Sequence, residues 1–266
     1  MKLRNTLFAL LLLLPGFAFA QNPTPVGTAV SDFTDPSNGV TVSITIGAAC
    51  DAVVVFNGGF SNETVNSVTL DGSAMEEIIQ GANGTNQFGG LYYMDSADVN
   101  WPGTGTFNIV SDWTGGDQHH LLGTCFQDVD TTTAGYRTAV EASGSADDPS
   151  ITLTGMTTGT DTMIFAGAFY ENESAAPTTG ALINENDNAG SASSSIFTYD
   201  NAPSGASDSI GITTDASVAH WFGAVALIGT SAGSGTSDVH TMQDPAKTVG
   251  PHKSQTLGGH LEVSNP

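Results

Sequence analysis

Residues 67–113 constrain the fold more than any other stretch of the chain. Short runs in which apolar and polar residues alternate are separated there by the turn-forming dipeptides Asp71-Gly72, Gly89-Gly90 and Pro102-Gly103. The stretch lacks the apolar period of an amphipathic helix. Alternating runs between such dipeptides are typical of strands joined by tight connections. The stretch therefore predicts an antiparallel meander.

The same pattern extends over residues 21–229. Residues 40–46 (VTVSITI) alternate strictly, as a half-buried strand does, whereas residues 52–56 and 219–229 are apolar on both faces and predict strands covered on both sides. The runs predict about 12–14 strands. We expect an all-β fold, an antiparallel two-sheet β-sandwich of jelly-roll-like type. No internal repeat is visible.

The two ends of the chain differ from this body. Residues 1–20 carry Lys2 and Arg4, then an apolar run and a small-residue cleavage pattern, which predicts a signal peptide and secretion to the extracellular space or cell surface. The alternative is an uncleaved anchor, but the apolar run is shorter than the ~20 residues of a membrane span. Nothing later in the sequence predicts a span. Residues 230–266 predict a Gly/Ser linker and a flexible, disordered polar tail.

Acidic residues dominate the charge of the chain. There are 27 Asp and Glu against 5 Lys and Arg, and Arg137 is the one basic residue between Gln21 and Pro245. Such a surface repels nucleic acid and anionic membranes, so neither is an expected partner.

The two cysteines, Cys50 and Cys125, each lie in a strand-like run. In an exported protein an even pair predicts a disulfide. The alternative is a reactive thiol, but Asp51 beside Cys50 disfavours a thiolate there.

Several segments together resemble a known class of module. These are VTLDGSAM, GLYYM, PGTGTFNIV, CFQDVD, DTMIFAGAFY and WFGAVALIG, in that order. Their order is similar to that of secreted bacterial and phage-associated jelly-roll modules, which resemble concanavalin-like and other carbohydrate-binding sandwiches. The resemblance implies a β-sandwich over roughly residues 30–229 and a place in cell-surface, matrix or fibre proteins, and it carries no catalytic residue with it.

No catalytic constellation passes a test of context, so we predict no catalytic residue. Ser231 sits in a G-x-S-x-G match, but a Gly/Ser linker follows it where a nucleophile elbow requires a helix in a parallel α/β sheet. His119 and His120 would point to opposite faces of a strand, as would the acid pairs Glu76-Glu77 and Asp147-Asp148. A glycosidase pair of carboxylates across a groove remains the enzymatic alternative.

Calcium is the one ion that the sequence suggests. Oxygen-rich turns of the kind that hard cations favour contain Asp32 and Asp35 in one case and Asp128 and Asp130 in another. Neither turn has the spacing of an EF-hand, and an acidic composition alone also produces such turns.

Aromatic residues suggest glycan stacking. Tyr92, Tyr93 and Trp101 lie in or next to the central meander, and exposed rings bind the apolar faces of sugars. Tyr92 and Tyr93 should point opposite ways, so on a half-buried sheet only one would be core. We therefore expect a non-enzymatic surface, matrix or fibre component whose partners are glycans or other copies of itself. The alternative is a secreted polysaccharide hydrolase or lyase with an acidic pair in a groove.

Overall fold

The prediction of an antiparallel all-β fold is confirmed. A computed structural model describes residues 20–34, 39–60, 64–82, 87–114, 118–133, 135–146, 148–170, 175–187, 193–214 and 218–230, and these residues form strands and turns without a helix. Residues 1–19 of the predicted signal peptide and the predicted tail beyond residue 230 lie outside the described residues. Within the described ranges, no helix has the length and apolar character needed to cross a bilayer.

The first sandwich contains the strands of the first half of the chain. They are β1 (Thr24–Thr34), β2 (Gly39–Ile46), β3 (Ala52–Phe60), β4 (Thr64–Leu70), β5 (Ser73–Ala74), β6 (Glu76–Ala82), β7 (Gln87–Asp95), β8 (Gly105–Thr114) and β9 (Gln118–Gln127). One sheet has the order β1-β9-β3-β7-β6, and the facing sheet has the order β2-β8-β4-β5. All described pairings are antiparallel.

The second sandwich repeats this arrangement. Its strands are β10 (Tyr136–Ala146), β11 (Ser150–Thr154), β12 (Thr162–Tyr170), β13 (Ala175–Pro177), β14 (Ala181–Asp187), β15 (Ser193–Asp200), β16 (Ser207–Thr214) and β17 (Val218–Leu227). Its sheets have the orders β10-β17-β12-β15-β14 and β11-β16-β13. If β5 and β6 are counted as two parts of one strand, both sandwiches have the same strand order, that of a jelly roll.

The four sheets stack as four layers. The inner sheets, β1-β9-β3-β7-β6 and β10-β17-β12-β15-β14, face each other, and the other two sheets lie on the outside. Strands β3 and β7 are buried at every position. This explains why residues 52–56 and 219–229 are apolar on both faces. The sequence predicts two sheets. The described residues form four, because the predicted strands belong to two sandwiches.

The contact between the sandwiches contains an aromatic stack within a largely aliphatic core. The Trp221 ring on β17 stacks on Phe56 of β3, with centroids 6.1 Å apart, and its Nε1 donates a 3.1 Å hydrogen bond to Glu141. A side chain at Gly89 on β7 would collide with this ring. Gly89 is therefore a packing glycine rather than the turn glycine that the sequence suggested.

A disulfide between Cys50 and Cys125 is present, as predicted. It connects the turn before β3 to β9 across a sequence separation of 75, with the Cα atoms 5.4 Å apart. Both cysteines lie in the core of the first sandwich.

The two ends of the described body meet. The Gln21 backbone N–H donates a 3.1 Å hydrogen bond to the Thr230 carbonyl. An isolated bridge between Val129 and Gly229 lies next to this contact and links the ends of the two sandwiches.

Candidate functional site

The outer sheet of the first sandwich presents hydroxyl and amide side chains to solvent. On β2 the exposed positions are Thr41, Ser43 and Thr45, because the alternate residues are core. Across the strand pair, Ser43 Oγ donates to Asn108 Oδ1 at 2.9 Å, and the Thr45 and Thr106 hydroxyls are 3.2 Å apart. The carboxylate on this face is Asp112, at the end of β8 that pairs with Gly39.

The outer sheet of the second sandwich has the same character. Strand β11 alternates exposed and buried residues, and its Thr152 lies 2.7 Å from the Ser209 hydroxyl on β16. The remaining described positions of this face are small or hydroxylated, namely Ser150, Thr154, Ala176, Ser207 and Thr213. We call these two surfaces the hydroxyl faces. In so acidic a chain, a nearly uncharged outer surface is the most distinctive feature of the described exterior.

A cleft of about 480 Å³ adjoins the first hydroxyl face, within the usual range for ligand pockets. The pairing of β1 with β9 shifts register between Val26 and Val30, so the intervening residues bulge outward. Gly27 takes a positive φ of 78° at this bulge. The residues lining the cleft are Val26, Gly27, Thr28, Val30, Ser43, Thr45, Gly47, Ala48 and Ala49.

Carboxylates gather at one end of the first inner sheet. Asp51 precedes β3 and accepts a hydrogen bond from the Asp128 backbone N–H at 2.6 Å, and Asp95 at the end of β7 accepts one from the Tyr93 hydroxyl at 2.9 Å. Burial raises the pKa of Asp95 and of Asp128, and the neighbouring Asp51 raises that of Asp128 further. Asp98 binds the Asp95 backbone N–H. In the alternative of a polysaccharide hydrolase or lyase, these carboxyls are the candidates for the catalytic acidic pair.

The tyrosines proposed for stacking are core residues. Tyr92 and Tyr93 are only 3% and 2% exposed and pack in the cores on opposite sides of the inner sheet. The opposite orientation follows the prediction, but the expectation that only one is core is wrong, because this sheet is covered on both faces. Burial raises the pKa of both phenols above their usual range. Trp101 is half-buried and packs against the first core.

The aspartates proposed for calcium occupy separate places. Asp32 is exposed on β1 opposite Leu121, while Asp128 and Asp130 follow the far end of β9. Asp130 accepts hydrogen bonds from the backbone and hydroxyl of Thr132, which lower its pKa. Asp35 lies outside the described residues. Across the described ranges, no three Asp, Glu, His or Cys side chains gather as a group that could hold a metal ion.

The adjacent histidines are buried on opposite faces of β9, as the strand geometry predicts. His119 lies against Trp113 in the first core, and His120 faces the second sandwich, where its Nδ1 is 3.0 Å from the Ser195 hydroxyl. Burial lowers the pKa of both imidazoles to about 3. Both side chains are fully buried, so this Ser–His contact is a packing contact between sandwiches rather than an open nucleophile.

The remaining motifs have structural surroundings. Glu76 accepts a 2.7 Å hydrogen bond from the Tyr136 hydroxyl, and its neighbour Glu77 is exposed. Asp148 accepts one from the Thr214 backbone N–H, while Asp147 and Ser231 lie outside the described residues. The hydroxyl faces and the cleft were not singled out by sequence. The available signal was the strict Thr/Ser alternation in VTVSITI and ITLT.

The basic residue Arg137 is used structurally. Its Nε lies 2.9 Å from Oδ2 of Asp161, a fully buried carboxylate, as an ion pair rather than an aligned hydrogen bond. Asp161 also accepts the Thr157 backbone N–H at 2.8 Å. No sequence pattern predicts that Arg137 forms an ion pair with this buried acid.

Replacing Arg137 with methionine should destabilise the protein, because a buried carboxylate would lose its counter-charge. Breaking a buried pair costs about 3–5 kcal/mol; with Arg137 38% exposed, we expect about 2–3 kcal/mol in urea unfolding. The control is the double variant R137M/D161N, which removes both charges and should recover part of the loss. A single variant within about 0.5 kcal/mol of the wild type would contradict the assignment.

Comparisons with protein-family models, with curated proteins and with solved structures found no match. The class of protein is therefore defined by its architecture, an all-β protein of two stacked sandwiches with outer hydroxyl faces.

Proposed function

We propose that the protein is a secreted, non-enzymatic component of a cell surface, matrix or fibre that adheres to glycans. The observation that carries the proposal is the pair of hydroxyl faces on the two outer sheets. The second support for this function is the resemblance of the sequence to secreted jelly-roll modules.

The chemistry of these faces supports a sugar partner. Each hydroxyl has one donor and two acceptor sites, so a hydroxyl paired to its neighbour, such as Thr152 with Ser209, keeps hydrogen-bonding capacity toward solvent. Sugars present the same mixture of donors and acceptors. The acidic charge of the chain as a whole, −22, disfavours anionic glycans.

Screening of the mature protein on a glycan array should yield binding to neutral glycans and none to acidic ones. The screen is run with calcium and with chelator, and soluble material is analysed for released sugar. Binding that is lost in chelator would implicate the Asp-rich turns as calcium sites. The matched variants are Thr152→Glu and Ser209→Glu, which place a charge on the second hydroxyl face.

Two outcomes would contradict the proposal. If no glycan on the array binds, the proposal of glycan adhesion is rejected. If sugar is released, the alternative of a polysaccharide hydrolase or lyase is favoured, and the carboxyls of Asp95 and Asp128 would be the first to replace.

Other copies of the chain are the second class of partner that we propose, since the outer sheets end in edge strands such as β2 and β11.

A further inference from the structure

We infer that the cleft between β1 and β2 is a binding site for a neutral saccharide. This inference rests on the proposed function and assigns it a location and a class of ligand.

The shape of the cleft comes from the bulge in β1. Three residues, 27–29, lie between Val26 and Val30, whereas the facing positions on β9, Cys125 and Gly123, have one residue between them. The extra residues make a wall beside β2, and a Cβ at Gly27 would lie 4.0 Å from the Thr45 carbonyl oxygen. The turn at residues 47–49 contributes to the same cleft. A volume of about 480 Å³ suits a short saccharide.

Three hydroxyls line the cleft, those of Thr28, Ser43 and Thr45, and the last two are hydrogen-bonded across the strand pair. Ser43 donates its proton to Asn108, so its remaining oxygen lone pairs are acceptors, while the Asn108 amide keeps its two N–H donors. The Thr45 and Thr106 hydroxyls are hydrogen-bonded to each other, and either can be the donor. Acceptors and donors fixed by a cross-strand partner suit the hydroxyls of a sugar ring, because less side-chain entropy is lost on binding.

The apolar groups of the cleft are small. Val26, Val30, Ala48 and Ala49 offer C–H surface for the apolar face of a sugar, and the lining contains no charged side chain. An anionic sugar would gain no ion pair there and would enter the field of an acidic protein. The lining therefore favours a neutral ligand.

The second sandwich supplies an internal comparison. Strand β10 occupies the place of β1, and its register shift, between Arg137 and Ala139, involves a single extra residue. The larger bulge in β1 therefore distinguishes the two sandwiches, which otherwise have the same strand order. Thr158, exposed in the turn before β12, belongs neither to the cleft nor to a hydroxyl face and provides a control for substitution.

The test measures binding of neutral trisaccharides to the mature protein by saturation-transfer NMR and titration calorimetry. The probes are the β-1,4-glucose, α-1,4-glucose, β-1,3-glucose, β-1,4-mannose and β-1,4-N-acetylglucosamine trisaccharides. Trigalacturonate serves as the acidic probe, and an extended Val-Thr peptide as the competitor. The variants are Ala48→Trp, which fills the cleft from an exposed position, and Thr45→Val, which removes one hydroxyl at nearly constant volume; Thr158→Val is the control.

We expect at least one neutral trisaccharide to bind and trigalacturonate not to bind. Affinity should fall at least tenfold in Ala48→Trp, fall about three- to tenfold in Thr45→Val, the range of one lost hydrogen bond, and stay unchanged in Thr158→Val. Thermal melting of each variant verifies folding, and Thr45→Val carries the test if Ala48→Trp does not fold.

Three results would overturn the inference: no neutral trisaccharide binds, binding is unchanged in both cleft variants, or the peptide displaces the sugar. The failures are distinguishable. Array binding that survives both cleft substitutions leaves the proposed function standing and rejects the cleft, whereas an array and trisaccharides that are both negative reject the two together.

Discussion

Replacing Cys50 and Cys125 by alanine is expected to lower the free energy of unfolding by about 4 kcal/mol. The disulfide joins residues 75 apart, and the chain-entropy model gives a cost of this size for releasing so long a loop in the unfolded state. Urea unfolding followed by the fluorescence of the buried Trp113 and Trp221 measures the change.

Unfolding of the wild type in reductant is the matched control. It removes the same cross-link while keeping both sulfur atoms in the core, so the difference from the alanine variant isolates their packing. If the double variant unfolds at the same urea concentration as the oxidised wild type, with the same slope, the disulfide does not stabilise the fold.

Lowering the pH from 7.5 to 5.0 is expected to cost about 4 kcal/mol of stability through His119 and His120, since the ordinary imidazole pKa is about 6.5. Burial lowers the pKa of both imidazoles to about 3 in the folded protein, with His119 lowering that of His120 further. Below pH 6.5 the unfolded chain therefore binds two protons that the folded protein does not bind. The stability is fully present above that pH and is lost as the pH falls toward 3.

Single variants separate the two histidines. His119→Gln and His120→Gln should each halve the slope of stability against pH between 6.5 and 5, whatever their effect at pH 7.5. The raised pKa values of Asp95 and Asp128 oppose this loss of stability, whereas the lowered pKa values of Asp130 and Asp208 add to it near pH 4 and below. A flat profile between pH 7.5 and 5 in the wild type would contradict the burial of both imidazoles as neutral groups.

Local patterns predicted the elements of this fold well. The alternation in residues 40–46 gave strand β2 with the correct face buried, and the two-faced apolar runs gave the covered inner strands. The disulfide was predicted from an even cysteine count together with the expectation that the chain is exported. These predictions depend on a residue and its neighbours in sequence, which is where periodicity carries information.

The pairing of the sandwiches could not be predicted in the same way. The equivalent strands β3 (AVVVFNGGF) and β12 (TMIFAGAFY) are both covered on two faces, yet their sequences have no identical residue when aligned from their first positions. Similar burial does not require similar residues, so the repeat is not visible in the sequence. The second layer also explains why the sequence predicted one of Tyr92 and Tyr93 to be exposed, although both are buried.

The candidate site was predicted less well from the sequence than the strands and the disulfide were. Its cleft depends on a register shift in β1, and a bulge leaves little trace in composition beyond a glycine such as Gly27. The hydroxyl faces become distinctive only when the acidic residues are seen to gather at sheet ends, edges and turns.

The meeting of Gln21 and Thr230 has a mechanical consequence. A force applied at residues 21 and 230 acts at two neighbouring points, so it loads their shared hydrogen bond before it extends either sandwich. In a filament or wall, a body attached at these two residues would lie beside the line of force rather than along it.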